Sequence, residues 1–121
     1  MSDRPTPTEL NYDGATRVLK ISFNDGSTFD LSAEYLRVHS PSAEVQGHSP
    51  EQAVLQVGKE KVKIDKIEPV GNYAVTIFFD DEHNSGIYSW EWLYKIGKNQ
   101  KEYWQNYLAK LKEAGHERKI F

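Results

Sequence analysis

The chain contains no cysteine. That excludes disulfides, thiolate metal sites, iron–sulfur ligation and cysteine nucleophiles together. It is compatible with a reducing compartment, and a cytoplasmic location is expected. A long hydrophobic run is also missing, so no stretch reads as a transmembrane helix. Met1 to Glu9 is polar and holds two prolines, with no apolar segment of the kind a signal peptide needs. Excess positive charge is absent too: 15 Lys and Arg stand against 18 Asp and Glu, a formal net charge of −3. Nucleic-acid binders present a basic field, so no nucleic-acid partner is expected. Glycines sit at turn positions and form neither G-x-x-x-x-G-K-[ST] nor G-x-G-x-x-G, which leaves no phosphate cradle to argue from.

What the chain does have is aromatic: 12% Phe, Trp and Tyr, with Trp90, Trp92 and Trp104 towards the C-terminal end. Disordered chains are poor in such residues, and 121 residues suffice for one self-supporting core. The organisation predicted is a frayed terminus over 1–7, one domain over 8–115 and a tail over 116–121. The expected fold is α+β, a mostly antiparallel curved sheet of about six to seven short strands. A short helix follows the first meander, and two C-terminal helices pack on the sheet.

The local pattern supports this. Leu10 and Tyr12 lead to Asp13-Gly14, a dipeptide suited to the positive φ of a tight hairpin. Leu19, Ile21 and Phe23 then alternate with Lys20 and Ser22. Asn24-Asp25-Gly26 is a second turn, followed by a strand through Phe29 and Leu31. Ser32 suits an N-cap for a helix over 33–38, and Pro41 blocks its continuation. Residues 39–49 read as a loop, and Ser49-Pro50-Glu51-Gln52 has the form of a helix start. Strand formers at Val54, Leu55 and Val57 favour a strand over 53–57 instead. Residues 61–67 predict a strand with a bulge, since Val62 and Ile64 share a face that Ile67 does not. Gly71-Asn72 turns the chain into its clearest alternation, Tyr73, Val75, Ile77 and Phe79, and Ile77 is placed in the core. An acidic loop over 80–84 and a short strand over 86–88 follow. Ser89 caps a helix from Trp90 that Gly97 is expected to stop. The last helix, over about 100–114, carries Tyr103, Trp104, Tyr107, Leu108 and Leu111 on one stripe.

Four histidines are the obvious candidates for chemistry. His39 and His48 share a loop, His83 lies in the acidic loop, and His116 falls in the tail. No pair has an H-x₃-H spacing, and no H-x-D/E triplet offers a non-haem iron site. His83, His39 and His48 are metal-ligand candidates only if the fold brings them together; otherwise they are hydrogen-bonded loop histidines. Asp80, Asp81 and Glu82 lack the calcium-loop pattern and read as a solvated loop. On a helix starting at Trp90, Trp92 lies about 200° away. One of the two is expected in the core and the other exposed as an interface anchor.

Three segments taken together carry a resemblance: 35–45, YLRVHSPSAEV; 68–75, EPVGNYAV; and 81–90, DEHNSGIYSW. In order and spacing they resemble the family of the gamma-butyrobetaine hydroxylase N-terminal domain, in its stand-alone form, over roughly residues 8–110. In oxygenases with this domain, the resemblance implies, it precedes the catalytic domain and holds a structural zinc through three Cys and one His. Ser40, Ser42 and Val45 stand where the thiolates would be, and His83 matches the histidine. With three of four ligands replaced, no zinc or other cofactor is expected. These 121 residues leave no space for the oxygenase catalytic domain, so oxygenase activity is not expected of them either. The same domain type resembles an appendage of some Mrp-like P-loop ATPases that handle iron–sulfur clusters.

The expected role is a non-catalytic accessory or protein-interaction module with a protein partner and no membrane contact. The competing reading is a metal-binding or metal-delivery domain linked to iron or iron–sulfur metabolism; a hydrolase built on Asp81 and His83 is a distant third. The candidate interaction surface is Arg37, Ser40, Glu44, Asp81, His83, Trp90 and Trp92. His83 is expected to hydrogen-bond near Ser40, Ser42, Arg37, Glu44 and Asp81, with no metal beside it.

Overall fold

The computed structural model describes residues 5–42, 45, 54–83 and 86–118. Its first half is an antiparallel meander of β1 (Pro7–Asp13), β2 (Val18–Phe23) and β3 (Thr28–Ser32). Leu19, Ile21 and Phe23 are buried as their alternation predicts. The β1–β2 connection is wider than Asp13-Gly14 suggests. Asp13 Oδ1 accepts from the N–H groups of Ala15 and Thr16, and Arg17 rather than Gly14 takes the left-handed conformation at φ 60°. The ordered pairing also reaches further back than the frayed-terminus reading. Pro7 opens β1, and Thr6 exchanges hydrogen bonds with Asn24.

Ser32 Oγ accepts from the Tyr35 N–H at 3.0 Å and starts α1 (Ala33–Val38). All six α1 residues are buried, Glu34 and Arg37 included. Two tyrosine hydroxyls fasten this helix: Tyr35 donates to the Ile96 carbonyl and Tyr88 to the Leu36 carbonyl, each at 2.6 Å. Burial pushes both hydroxyls far above the ordinary phenol range, so they act as fixed donors.

The second half forms a separate antiparallel sheet, β4 (Ile64–Val70), β5 (Ala74–Phe79) and β6 (Ile87–Ser89), in that order. The expected single curved sheet is therefore two three-stranded sheets. The edges explain the division. Outer strand β1 begins at Pro7 and is irregular between Pro7 and Glu9; outer strand β4 contains Pro69 and is irregular between Ile64 and Lys66. Prolines and bulges deny an edge the regular ladder that a further strand needs. The Ile64 N–H instead donates to the Tyr12 hydroxyl at 3.1 Å, a side chain standing in for a ladder bond.

Several boundaries also move. The bulge expected within 61–67 is present, but the strand starts at Ile64. Residues 54–57 form no strand, and Val54 and Val57 are 56% and 39% exposed. Ala74 and Val75 are both buried while Tyr73 is 56% exposed, so the alternation starts inside β5. The motif at 49–52 lies outside the described residues. Ser89 Oγ accepts from the Trp92 N–H and starts α2 (Trp90–Lys98), which runs through Gly97. A Cβ there would lie 2.5 Å from the Phe29 ring, so Gly97 serves helix–sheet contact rather than termination. Then α3 (Gln100–Glu113) packs half-buried Tyr103 and Trp104 against the main core, while its buried Tyr107 and Leu111 form a smaller cluster with Val38. Past Gly115, Arg118 returns to α1: Nε donates to Glu34 Oε2 at 2.8 Å, Nη2 reaches Oε1, and the guanidinium lies over Trp104.

Candidate functional site

The C-terminal end of α1 separates two regions. On one side Arg37, Ser40 and Ser42 meet the loop that leaves β5. That loop closes tightly: the Glu82 N–H donates to the Phe79 carbonyl, the Phe79 N–H to the His83 carbonyl, and Glu82 takes φ 69°. The turn directs His83 inward, 6.2 Å from the Phe79 ring between centroids. His83 Nε2 lies 2.9 Å from Ser40 Oγ and 3.3 Å from Ser42 Oγ, and the two hydroxyls are 3.3 Å apart. Ser40 has no exposed surface, and Ser42 and His83 are buried. Gly86 is part of the seal, since a Cβ on it would stand 2.5 Å from Ser40 Oγ.

This knot does not fit the zinc implied by the resemblance. Two ligand atoms about 2.0–2.1 Å from a tetrahedral zinc lie about 3.3 Å apart. Ser40 Oγ and His83 Nε2 are closer, at the distance of a direct hydrogen bond. Neutral hydroxyls are poor zinc ligands, and Val45 contributes a buried hydrocarbon. Among the described residues no cluster of three His, Asp or Glu could hold a metal ion.

Asp81 ties the same loop to two cations. Its Oδ2 accepts from Arg37 Nε at 2.9 Å and from Lys59 Nζ at 2.7 Å, and its Oδ1 from the His83 N–H at 3.2 Å. Burial by itself would raise this carboxyl. The bonds from Lys59, the His83 N–H and Arg37 outweigh it and pull the group down to about 2. Arg37 Nη1 also donates to Gln56 Oε1 at 3.1 Å.

Across α1 lies an open groove of about 470 Å³, walled by Trp92, Tyr103, Tyr107 and Leu55. His39 belongs here, facing away from the knot. Its Nδ1 lies 2.9 Å from the Tyr35 carbonyl, and its ring stacks on Tyr103 with centroids 5.9 Å apart. A carbonyl only accepts, so Nδ1 carries a proton. Burial lowers the pKa of the ring against the opposing effect of the Tyr35 carbonyl, with Lys110 lowering it further, and so favours the neutral form. Nε2 is then an acceptor. Among the described residues no buried side-chain polar atom lacks a partner, so Nε2 reaches solvent through the groove. The Tyr107 hydroxyl donates to the Gln56 carbonyl at 2.7 Å and is pushed up to about 12 by burial and nearby carboxylates.

The fold thus brings Arg37, Ser40, Asp81 and His83 together, but Arg37, Ser40 and His83 face the interior instead of forming a surface. His39 does not join His83. His48 and Glu44 lie outside the described residues. The expectation of one core and one exposed tryptophan gives way to two half-buried rings, each holding a backbone carbonyl: Trp90 Nε1 donates to Asn72 at 2.8 Å and Trp92 Nε1 to His39 at 2.9 Å. Gln56 and Lys59 were not legible as site residues, because their segment has no periodicity. Gln56 falls within the stretch expected as a strand over 53–57, and Lys59 in the connection to the strand expected over 61–67.

No curated protein matches the chain. Two proteins with NMR solution structures are similar to it at 41% and 50% identity, with TM-scores of 0.83 and 0.82. Each alignment covers 98% of this chain, and 93% and 88% of theirs. A crystal structure of a protein of unknown function in the DUF971 family, from Acidithiobacillus ferrooxidans, is 35% identical. It aligns over 80% of this chain and 98% of its own, with a TM-score of 0.65. The family model described as gamma-butyrobetaine hydroxylase-like, N-terminal, matches residues 10–94. The chain belongs to the gamma-butyrobetaine hydroxylase-like N-terminal domain family.

Proposed function

We propose that this domain is a non-catalytic protein-interaction module that docks a partner at the groove beside His39, while the His83 knot holds the fold. The carrying observation is the separation of reactive groups from accessible surface. A Ser–His pair 2.9 Å apart is the geometry of a nucleophile and its base, but Ser40 has no exposed surface for a substrate to approach. Accessible apolar surface lies instead at the groove, where Val54 is 56% exposed beside Leu55 and Trp92. Exposed apolar surface around aromatic anchors is what interaction sites offer.

Affinity capture with the purified domain, followed by lysine crosslink mapping, tests the reading. Crosslinks to a recovered partner should concentrate on Lys110 and Lys95, close to the groove, and not on Lys20 in β2. A clean monomer that captures nothing would refute the module. Ester or amide turnover abolished by Ser40→Ala would refute its being non-catalytic.

A further inference from the structure

We infer that the groove binds the C-terminal residue of a partner chain, receiving a bulky apolar side chain together with its amide N–H and its α-carboxylate. The inference rests on the interaction-module reading and gives that module its ligand. The groove has the volume of a small-molecule site, about 470 Å³, and its walls are aromatic and aliphatic, so it selects an apolar body of one large side chain. Tyr103 and Asn106 also bring polar groups to the lining, and two others, His39 and Lys110, bear most on what that body carries. His39 has its Nδ1 proton committed to the Tyr35 carbonyl, which leaves the Nε2 lone pair for a ligand donor. Lys110 lines the same groove and makes no ion pair among the described residues, and Lys95 stands 5.6 Å over the Trp92 ring at its edge. None of the described lining residues is acidic. An anion is therefore favoured beside Lys110, and no described lining residue opposes it.

A donor, a carboxylate and a large apolar group, all within a few ångströms, occur together on the last residue of a polypeptide. There the amide N–H, the α-carboxylate and the side chain share one Cα. An acidic residue inside a segment instead spends its side chain on the charge and leaves the walls unfilled. A simple aromatic acid fills the walls and meets Lys110 but leaves His39 unpaired.

The test uses the whole chain, ¹⁵N-labelled, titrated with an N-acetylated tetrapeptide ending in phenylalanine with a free carboxylate. Two further probes are its C-terminal amide and 3-phenylpropionate. The indole N–H of Trp92 should shift on binding, while those of Trp90 and Trp104 should hardly move. Removing one charge-assisted hydrogen bond costs about tenfold or more in affinity, so the amide should bind about tenfold more weakly. Lys110→Gln should cost a similar factor, and Lys112→Gln, elsewhere on α3, should cost nothing. His39→Phe keeps a ring for stacking but removes the acceptor. It should weaken the peptide and leave 3-phenylpropionate unchanged. Equal binding of acid and amide, shifts centred on Trp90, or no binding at millimolar peptide would each overturn the assignment. If a captured partner is retained equally by wild type and Lys110→Gln, the module stands and the terminal-residue inference falls. If nothing is captured and no peptide binds, both fall.

Discussion

His39 and Ser40 are adjacent in sequence, yet they belong to opposite sides of α1. Ser40 enters a sealed knot in which its hydroxyl meets the His83 ring at 2.9 Å, with Arg37, Asp81 and Lys59 packed alongside. His39 enters an open groove, stacked on Tyr103 with its second nitrogen towards solvent. Each histidine meets an oxygen, but the consequences differ. In the knot, polar groups answer one another in a buried space, which ties two loops together. In the groove, the polar groups are spaced by rings, and the His39 ring is answered on one side only, at the Tyr35 carbonyl. A histidine is thus read by what surrounds its second nitrogen, not by its presence in a loop.

The largest effect that separates the regions should come from Asp81→Ala. It leaves Arg37 buried without its carboxylate, a loss of about 3–5 kcal/mol for a fully buried pair. The expected loss falls below that range, because the Asp81 side chain keeps 22% exposure and the residue as a whole lies at the surface, where solvent screens the pair. Chemical denaturation should show this while the Trp92 indole resonance, across α1, stays in place. The same carboxyl fixes an acid limit. Its folded pKa is about 2 against an ordinary 3.8, so its contribution is complete above about pH 4 and is lost as pH falls towards 2. In Asp81→Asn that part of the acid transition should vanish. An unchanged acid limb would mean the ion cluster does not hold the loop.

Ser40→Ala comes next. It removes the hydroxyl nearest His83 in a site without solvent, an expected cost of about 1–3 kcal/mol. A cost below about 0.5 kcal/mol would mean that Ser42 alone satisfies the ring and the knot is looser than its distances indicate.

A smaller effect belongs to the groove. His39 takes up its proton below the ordinary 6.5 because burial disfavours the charged ring. The unfolded chain binds that proton first, so stability should decline as pH falls below about 6.5. The slope of melting temperature between pH 6.5 and 5 should flatten in His39→Phe, which retains the stack on Tyr103. If the slope persists, another group titrates there.

The smallest expected effect is none. Millimolar chelator should leave the melting temperature unchanged, and added zinc should not raise it, because the knot is held by hydrogen bonds. A structural zinc would contribute about 10–16 kcal/mol of apparent binding energy, so its removal could not pass unnoticed. A chelator-sensitive fold would erase the contrast between the two regions.

Local periodicity and capping chemistry in the sequence determined a good deal of this protein. The alternation at Leu19, Ile21 and Phe23 placed one buried face, and Ser32 and Ser89 marked two helix starts that their hydroxyls do cap. The spacing of Ser40, Ser42 and His83 within the family pattern also pointed to one shared site. All of these are local or pattern-borne: a residue's neighbours along the chain, or its place in a motif, supply the constraint. The tertiary structure decided the rest. Gly97 reads as a helix stop until the Phe29 ring is placed against it. One sheet becomes two because irregular, proline-bearing edges face each other, a relation between strands more than 50 residues apart. His39 and His83 part company because α1 stands between them. Gln56 and Lys59, in a segment without periodicity, gain their roles only through Arg37, Tyr107 and Asp81. Whether a side chain is sealed or open depends on the packing of distant segments, which no local spacing encodes.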